Sequence, residues 1–234
     1  MKILLKILII ILTSSLLAES PLELNKKSLI QIRKGDFEKA EKYLRQAIEV
    51  DSEYARSYYN LACTLALKLK ENYCEFQDTI PEIYKLISLS IKKNSPYKKR
   101  MLTDPDFEKL SSDFKFYETA GFSLKRRSDL KVILSKVKWY GPAPGVFGPG
   151  DGLDFQSSGK VVYWYLDPGR LAYGEVKKNF IFGKYYWRGN RIIIRFYKKI
   201  PGGRRDYYGQ LKKNKLILPG MGHDFSDDSS LCSS

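Results

Sequence analysis

Between Gly35 and Asp51 the apolar residues Phe37, Ala40, Leu44, Ala47 and Ile48 recur at steps of three and four, with charge elsewhere. That spacing predicts a helix with one apolar stripe. Two of the stripe residues are alanines, which predicts close approach by a second helix. Gly35 predicts the end of that partner helix, Leu22 to Lys34, and Asp36 the cap of the next. Asp51-Ser52 predicts a further cap, and a second unit opens at Ala55 with Ala-Arg-Ser-Tyr-Tyr-Asn-Leu-Ala. Leu24 aligned with Tyr58, and Ser28 with Ala62, gives an offset of 34 residues. The second unit has a longer turn, Lys70 to Thr79. Its second helix is predicted from Thr79-Ile-Pro-Glu82, with Thr79 as cap, Pro81 in the first turn and Glu82 reaching back. Ile83, Ile87, Ser90 and Ile91 carry the stripe onward.

From Lys131 the alternation shortens to two. Val132, Leu134 and residues 137–140 predict a first strand, followed by a Pro/Gly-rich loop from Gly141 to Gly152. Short runs rich in β-branched and aromatic residues follow: 153–156, 160–166, 180–188, 191–199, 207–211 and 215–218. Turn residues separate them, among them the two-residue hairpin Gly189-Asn190. The fold class expected is α+β in two domains: helical hairpins in front, and an antiparallel β meander or small barrel behind. In the run from Arg191, residues Ile192, Ile194 and Phe196 share one face, expected to be core. Arg191, Ile193, Arg195 and Tyr197 share the other.

The period of 34 together with Gly-Asp-Phe-Glu-Lys-Ala (35–40) and Tyr-Tyr-Asn-Leu-Ala (58–62) resembles the tetratricopeptide repeat family. The resemblance implies stacked helical hairpins that hold a protein partner. The family's inner groove is lined by the first helix of each unit, which here implies Asn25, Arg33, Arg56 and Tyr59. The chain lacks a repeated Lys/Asn set for clamping a peptide carboxylate. Residues 97–121 resemble the closing segment that follows such repeats, and place Phe107, Leu110, Phe114 and Phe116 over the last open face. The rear half is similar to lipocalin-like bacterial β domains. That likeness implies a cup for an apolar ligand, or a face presented to a protein.

Residues 1–18 combine Lys2 and Lys6 with an apolar run and a small residue at Ala18, the pattern of a secretory signal. The expected location is therefore outside the cytoplasm, in a bacterial periplasm or envelope or secreted. The expected domains are a signal (1–18), a helical repeat domain with capping helices (19–121), a linker (122–129), a basic β domain (130–218) and a flexible tail (219–234). Charge separates the two main parts. Residues 19–124 carry 18 Lys+Arg against 17 Asp+Glu, whereas residues 125–215 carry 21 against 6. Almost all of the net charge of +15 belongs to the β domain.

Catalytic chemistry is sparse. The one histidine, His223, has no nucleophile or orienting partner by motif, and a histidine-based metal cluster is excluded by count. No cofactor, metal or catalytic residue is expected. Asp151, Asp154 and Asp167 lack calcium-loop spacing, and the glycine-rich stretches lack the strand-to-helix context of a phosphate cradle. Of the three cysteines, Cys63 and Cys74 are candidates for a disulfide stapling the long turn; otherwise Cys63 is a small buried residue. The stronger signal is a basic, aromatic face of Lys160, Lys184, Arg188, Arg191, Arg195 and Tyr197, suited to an anionic lipid or polysaccharide. Export argues against nucleic acid as the partner. The expected activity is non-catalytic binding, with a carrier of a small apolar ligand as the alternative.

Overall fold

The computed structural model describes residues 19–142, 150–167 and 177–227. The expected signal at 1–18 and Cys232 fall outside them. The chain divides into two compact units that meet in sequence between Phe107 and Glu108.

The first unit begins with α1 (Pro21–Arg33), closed at its start by a capping box between Ser20 and Glu23. Gly35 turns the chain at φ +75°, a conformation that favours glycine, and Asp36 accepts from the Lys39 amide to start α2 (Phe37–Val50). Phe37, Ala40, Leu44 and Ala47 are buried, as the stripe predicts. A second hairpin follows, α3 (Ala55–Glu71) against α5 (Ile80–Lys93), with the short α4 (Tyr73–Phe76) and a 3₁₀ turn (Gln77–Thr79) in the long connection. Thr79 does not cap α5 through its side chain. Its hydroxyl donates to the Phe76 carbonyl instead, and Glu82 is drawn away by Arg45, 2.9 Å off. Salt bridges from Arg45 and Lys68 tie α2 to its neighbours. A short α6 (Tyr97–Met101) and a 3₁₀ turn (Pro105–Phe107) complete the unit.

The second unit starts with α7 (Phe114–Thr119) and α8 (Arg127–Lys136). The expected strand over Val132 and Leu134 is therefore a helix, and it also takes in the end of the expected linker. Leu130, Ile133, Leu134 and Val137 are its buried residues and their neighbour, at steps of three, one and three. That is helical spacing, which a period-two reading of alternate members misses.

Eight strands then close an antiparallel barrel in simple sequential order: β1 (Trp139–Tyr140), β2 (Asp151–Phe155), β3 (Lys160–Leu166), β4 (Lys178–Arg188), β5 (Arg191–Phe196), β6 (Asp206–Lys212), β7 (Lys215–Ile217) and β8 (Phe225–Ser226). Gly189 at φ +60° makes the tight hairpin between β4 and β5, with Arg188 opposite Arg191. Closure falls to β8, which pairs with both β7 and β1. The expected flexible tail at 219–234 thus contributes a strand, and Phe225 within it is fully buried. Closure requires this strand, because an open edge would leave backbone groups of β1 and β7 unpaired.

Alternate residues fill the interior. Ile192, Ile194 and Phe196 are completely buried, as predicted. Phe196 meets the Tyr163 and Tyr207 rings at 6.1 and 6.0 Å, and Phe155 meets Tyr185 edge-on at 5.1 Å. An eight-stranded barrel is wide enough for side chains to fill it or for one small ligand.

Candidate functional site

Four places were candidates for function: the helical groove, the buried cysteine, the outer barrel wall and the lone histidine.

The groove residues are not assembled as one surface. Arg33 and Arg56 are exposed. Asn25 is 1% exposed, and its amide donates to the Pro21 carbonyl (2.8 Å) and to Ser57 Oγ (2.7 Å) while its oxygen accepts from Asn60 (2.9 Å). Its role is to bond α1 to α3. Tyr59 is fully buried as well. It stacks on Tyr97 (4.5 Å), meets Phe107 edge-on (5.8 Å) and donates to Asp104 Oδ2 (2.8 Å), with the Arg100 guanidinium over its ring. The segment 97–107 therefore covers the position that an open groove would present. The exposed residues of α1 include a stripe of Leu22, Leu29, Ile30 and Arg33, beside the charged Glu23, Lys26 and Lys27.

Cys63 is a free, buried thiol, so the expected pairing with Cys74 does not form. Cys74 is disulfide-bonded, but not to Cys63. The reason is direction: Cys63 lies one turn beyond Tyr59 on α3, facing Asp104 and Asp106 rather than the long connection. One donor atom from each of Cys63, Asp104 and Asp106 lies within 4.8 Å of the others. Burial, then the charges of Asp104 and Asp106, pushes the thiol well above its usual range. Burial and the Asp104 charge also raise Asp106, with the Cys63 hydrogen bond acting against them. A protonated thiol bonded to a carboxylate is a packing element, inert as a nucleophile.

The predicted basic residues do stand together. Lys160 pairs with Lys184 across β3 and β4, Lys184 with Arg195 across β4 and β5, and Arg188 with Arg191 at the hairpin. All five, and Tyr197, are exposed on the outer wall. Arg195 is partly neutralised by Asp206, whose carboxylate lies 2.8 Å away. Ile193, on the same wall, is nonetheless buried, lying between Tyr186 and Tyr208 on the flanking strands. The aromatic content of this wall exceeds what the sequence reading picked out. Phe180, Phe182, Tyr186 and Tyr208 are each about half exposed. Strand β4 carries Phe180, Phe182 and Tyr186 on its outward positions, with Lys184 between, and Tyr208 is on β6; that alternation was the available signal. A shallow cleft of about 230 Å³ lies beside Arg191 and Tyr208, extending to Ile217 and Pro219.

His223 has a neighbour that no motif announced. Its Nε2 lies 3.1 Å from Asp151 Oδ2, which also accepts from the Tyr163 hydroxyl at 2.8 Å. Asp151 opens β2 on its inward-facing side and is 7% exposed. Burial, then the Asp151 charge, raises the Tyr163 hydroxyl well above its usual range, so that it serves as a donor. The group sets the segment before β8 against the barrel end by proximity, since His223 Nε2 makes no hydrogen bond among the described residues.

Comparison with known proteins yields one match. The tetratricopeptide repeat family model matches residues 24–54, which span α1, the Gly-Asp turn and α2. No characterised protein and no solved structure matches the chain significantly. Among the described residues, no helix is long and apolar enough to cross a membrane.

Proposed function

We propose that this chain is an exported, non-catalytic scaffold that holds a protein with its helical repeats and an anionic surface with its barrel. The repeat match at 24–54 carries the first half, since tetratricopeptide repeats are protein-binding modules. The available contact surface is the exposed stripe of Leu22, Leu29, Ile30 and Arg33 on α1. The basic wall of the barrel supports the second half, because clustered cations concentrate anionic partners at short range. The basic–apolar–small order of residues 1–18 supports export.

A photo-cross-linking residue placed at Ile30 or at Arg33 is expected to trap the same polypeptide from the native cell envelope. The same residue at Lys212, on the barrel, is expected to trap it weakly or not at all. Trapping of one common set from all three positions would overturn the repeat as the docking surface.

The carrier of a small apolar ligand is the second reading, and the sequential eight-stranded barrel favours it. The residues that would line such a cup, Ile192, Ile194 and Phe196, are occupied by packing on Tyr163 and Tyr207. That packing supports the scaffold reading.

A further inference from the structure

Resting on the reading that the barrel wall takes an anionic surface, we propose that this surface is a bilayer of anionic phospholipid, entered by Phe180 and Phe182. Phe180 and Phe182 are 55% and 58% exposed, on the outward side of β4. Large apolar rings left in water on adjacent outward positions of one strand mark a contact surface. Register fills in the rest. Phe180 lies opposite Trp164, and Phe182 opposite Val162 on β3. On the other side the Tyr197 amide donates to the Phe182 carbonyl, which brings a third exposed ring alongside.

The next outward row along the strands is Lys160, Lys184 and Arg195. Successive outward residues of a strand are separated by about 7 Å. An apolar row with a cationic row that far behind it matches an interface. Amphipathic elements sink roughly 5–10 Å past the headgroups, while lysine and arginine stay at phosphate level. Lys178 lies nearer the apolar end, with its ammonium 4.2 Å over the Trp164 ring and a stem long enough to reach back to the headgroups. Two acidic groups share the wall, Asp154 opposite Val162 and Asp206 bonded to Arg195, against six cations at 160, 178, 184, 188, 191 and 195.

Single-stranded nucleic acid also pairs aromatic rings with cations, but it is held along a groove whose rings stack successive bases. Here the rings stand on the convex outside of a closed barrel, where Phe180, Phe182 and Tyr197 form a patch of rings alone, and only Tyr186 and Tyr208 stand among the cations beyond it. A deformable, planar partner fits that surface better.

The test uses the full chain carrying F182W, read by difference against the wild type. With vesicles of equal phosphatidylglycerol and phosphatidylcholine, the added fluorescence is expected to shift to the blue and to be quenched by brominated acyl chains. With phosphatidylcholine alone, neither is expected. The readout is local to position 182, so association through another part of the chain does not produce it. F180S/F182S is expected to lose the binding contributed by this wall, about tenfold or more, with near-ultraviolet circular dichroism unchanged. K160E/K184E is expected to abolish the blue shift in F182W.

A spectrum at 182 that stays unchanged with anionic vesicles overturns the bilayer proposal. If the wall nonetheless binds a soluble polyanion or a single-stranded oligonucleotide in a manner lost in K160E/K184E, the anion-binding reading survives and only the bilayer fails. If no anionic probe responds to K160E/K184E, both fail together.

Discussion

Asn25 and Tyr59 stand 34 residues apart, on the first helices of consecutive hairpins, and each reaches the segment that follows its own hairpin. Asn25 bonds Ser57 and Asn60 on α3, whereas Tyr59 meets Tyr97, Asp104 and Phe107. The position is therefore a contact between each hairpin and the segment after it, and for Tyr59 that segment is 97–107. Sequence reasoning assigned both residues to the groove because the repeat position was legible; a closing segment at 97–121 was legible too, but not that its Tyr97, Asp104 and Phe107 would meet Tyr59. Removal of Asn25 leaves Ser57 and Asn60 buried without that partner, and a buried polar group so stranded costs about 1–3 kcal/mol. Asn25→Ala is expected to lower the stability of the helical unit by about that amount in urea titration. Arg56→Ala, at an exposed neighbour, is expected to change it by less than about 0.5 kcal/mol.

Elements show the same division between what local pattern decides and what packing decides. The hairpin of α1 and α2 was readable to its caps, because glycine at positive φ, an aspartate cap and an apolar stripe are all local features. Strand β8 was not readable. Two residues, Phe225 and Ser226, carry no periodicity, and only the unpaired edges of β1 and β7 make a strand of them. Strand β2 owes its place to a glycine. A Cβ at Gly152 would lie 2.5 Å from the Trp164 ring and 2.7 Å from the Trp139 carbonyl, so β1, β2 and β3 approach closely only because that atom is missing. Gly152→Ala is expected to destabilise the barrel by about 1–3 kcal/mol, the usual cost of overfilling a packed site. Gly189→Ala, at a hairpin with open space around it but φ +60°, is expected to cost only local backbone strain. Comparison of the two chemical-denaturation midpoints checks this, and equal losses would count against the close approach at Gly152.

At the scale of the whole molecule, two compact units each close their own core. Leu44 is fully buried in the helical unit, and Ile194 in the barrel. Truncation of either to alanine is expected to cost about 2–5 kcal/mol, because the removed atoms leave a cavity. Calorimetry is expected to resolve two transitions, with Leu44→Ala lowering one and Ile194→Ala the other. A single transition lowered by both would show one cooperative unit. Charge follows the same division, with the excess of cations in residues 125–215. Association through the barrel is therefore expected to carry most of the salt dependence.

The order of apolar and polar residues by itself determined the two-part α+β class, the first hairpin, most of the strands and the cationic wall. Each of these depends on neighbours within a turn or a strand, where side-chain direction follows from spacing alone. Tertiary structure decided which predicted site residues stay in water. Tyr59 is withdrawn beneath residues 97–107, Cys63 faces Asp106 rather than Cys74, and Asp151 brings Tyr163 and His223 together. Those outcomes depend on which distant segment covers a given face, and no local period encodes that.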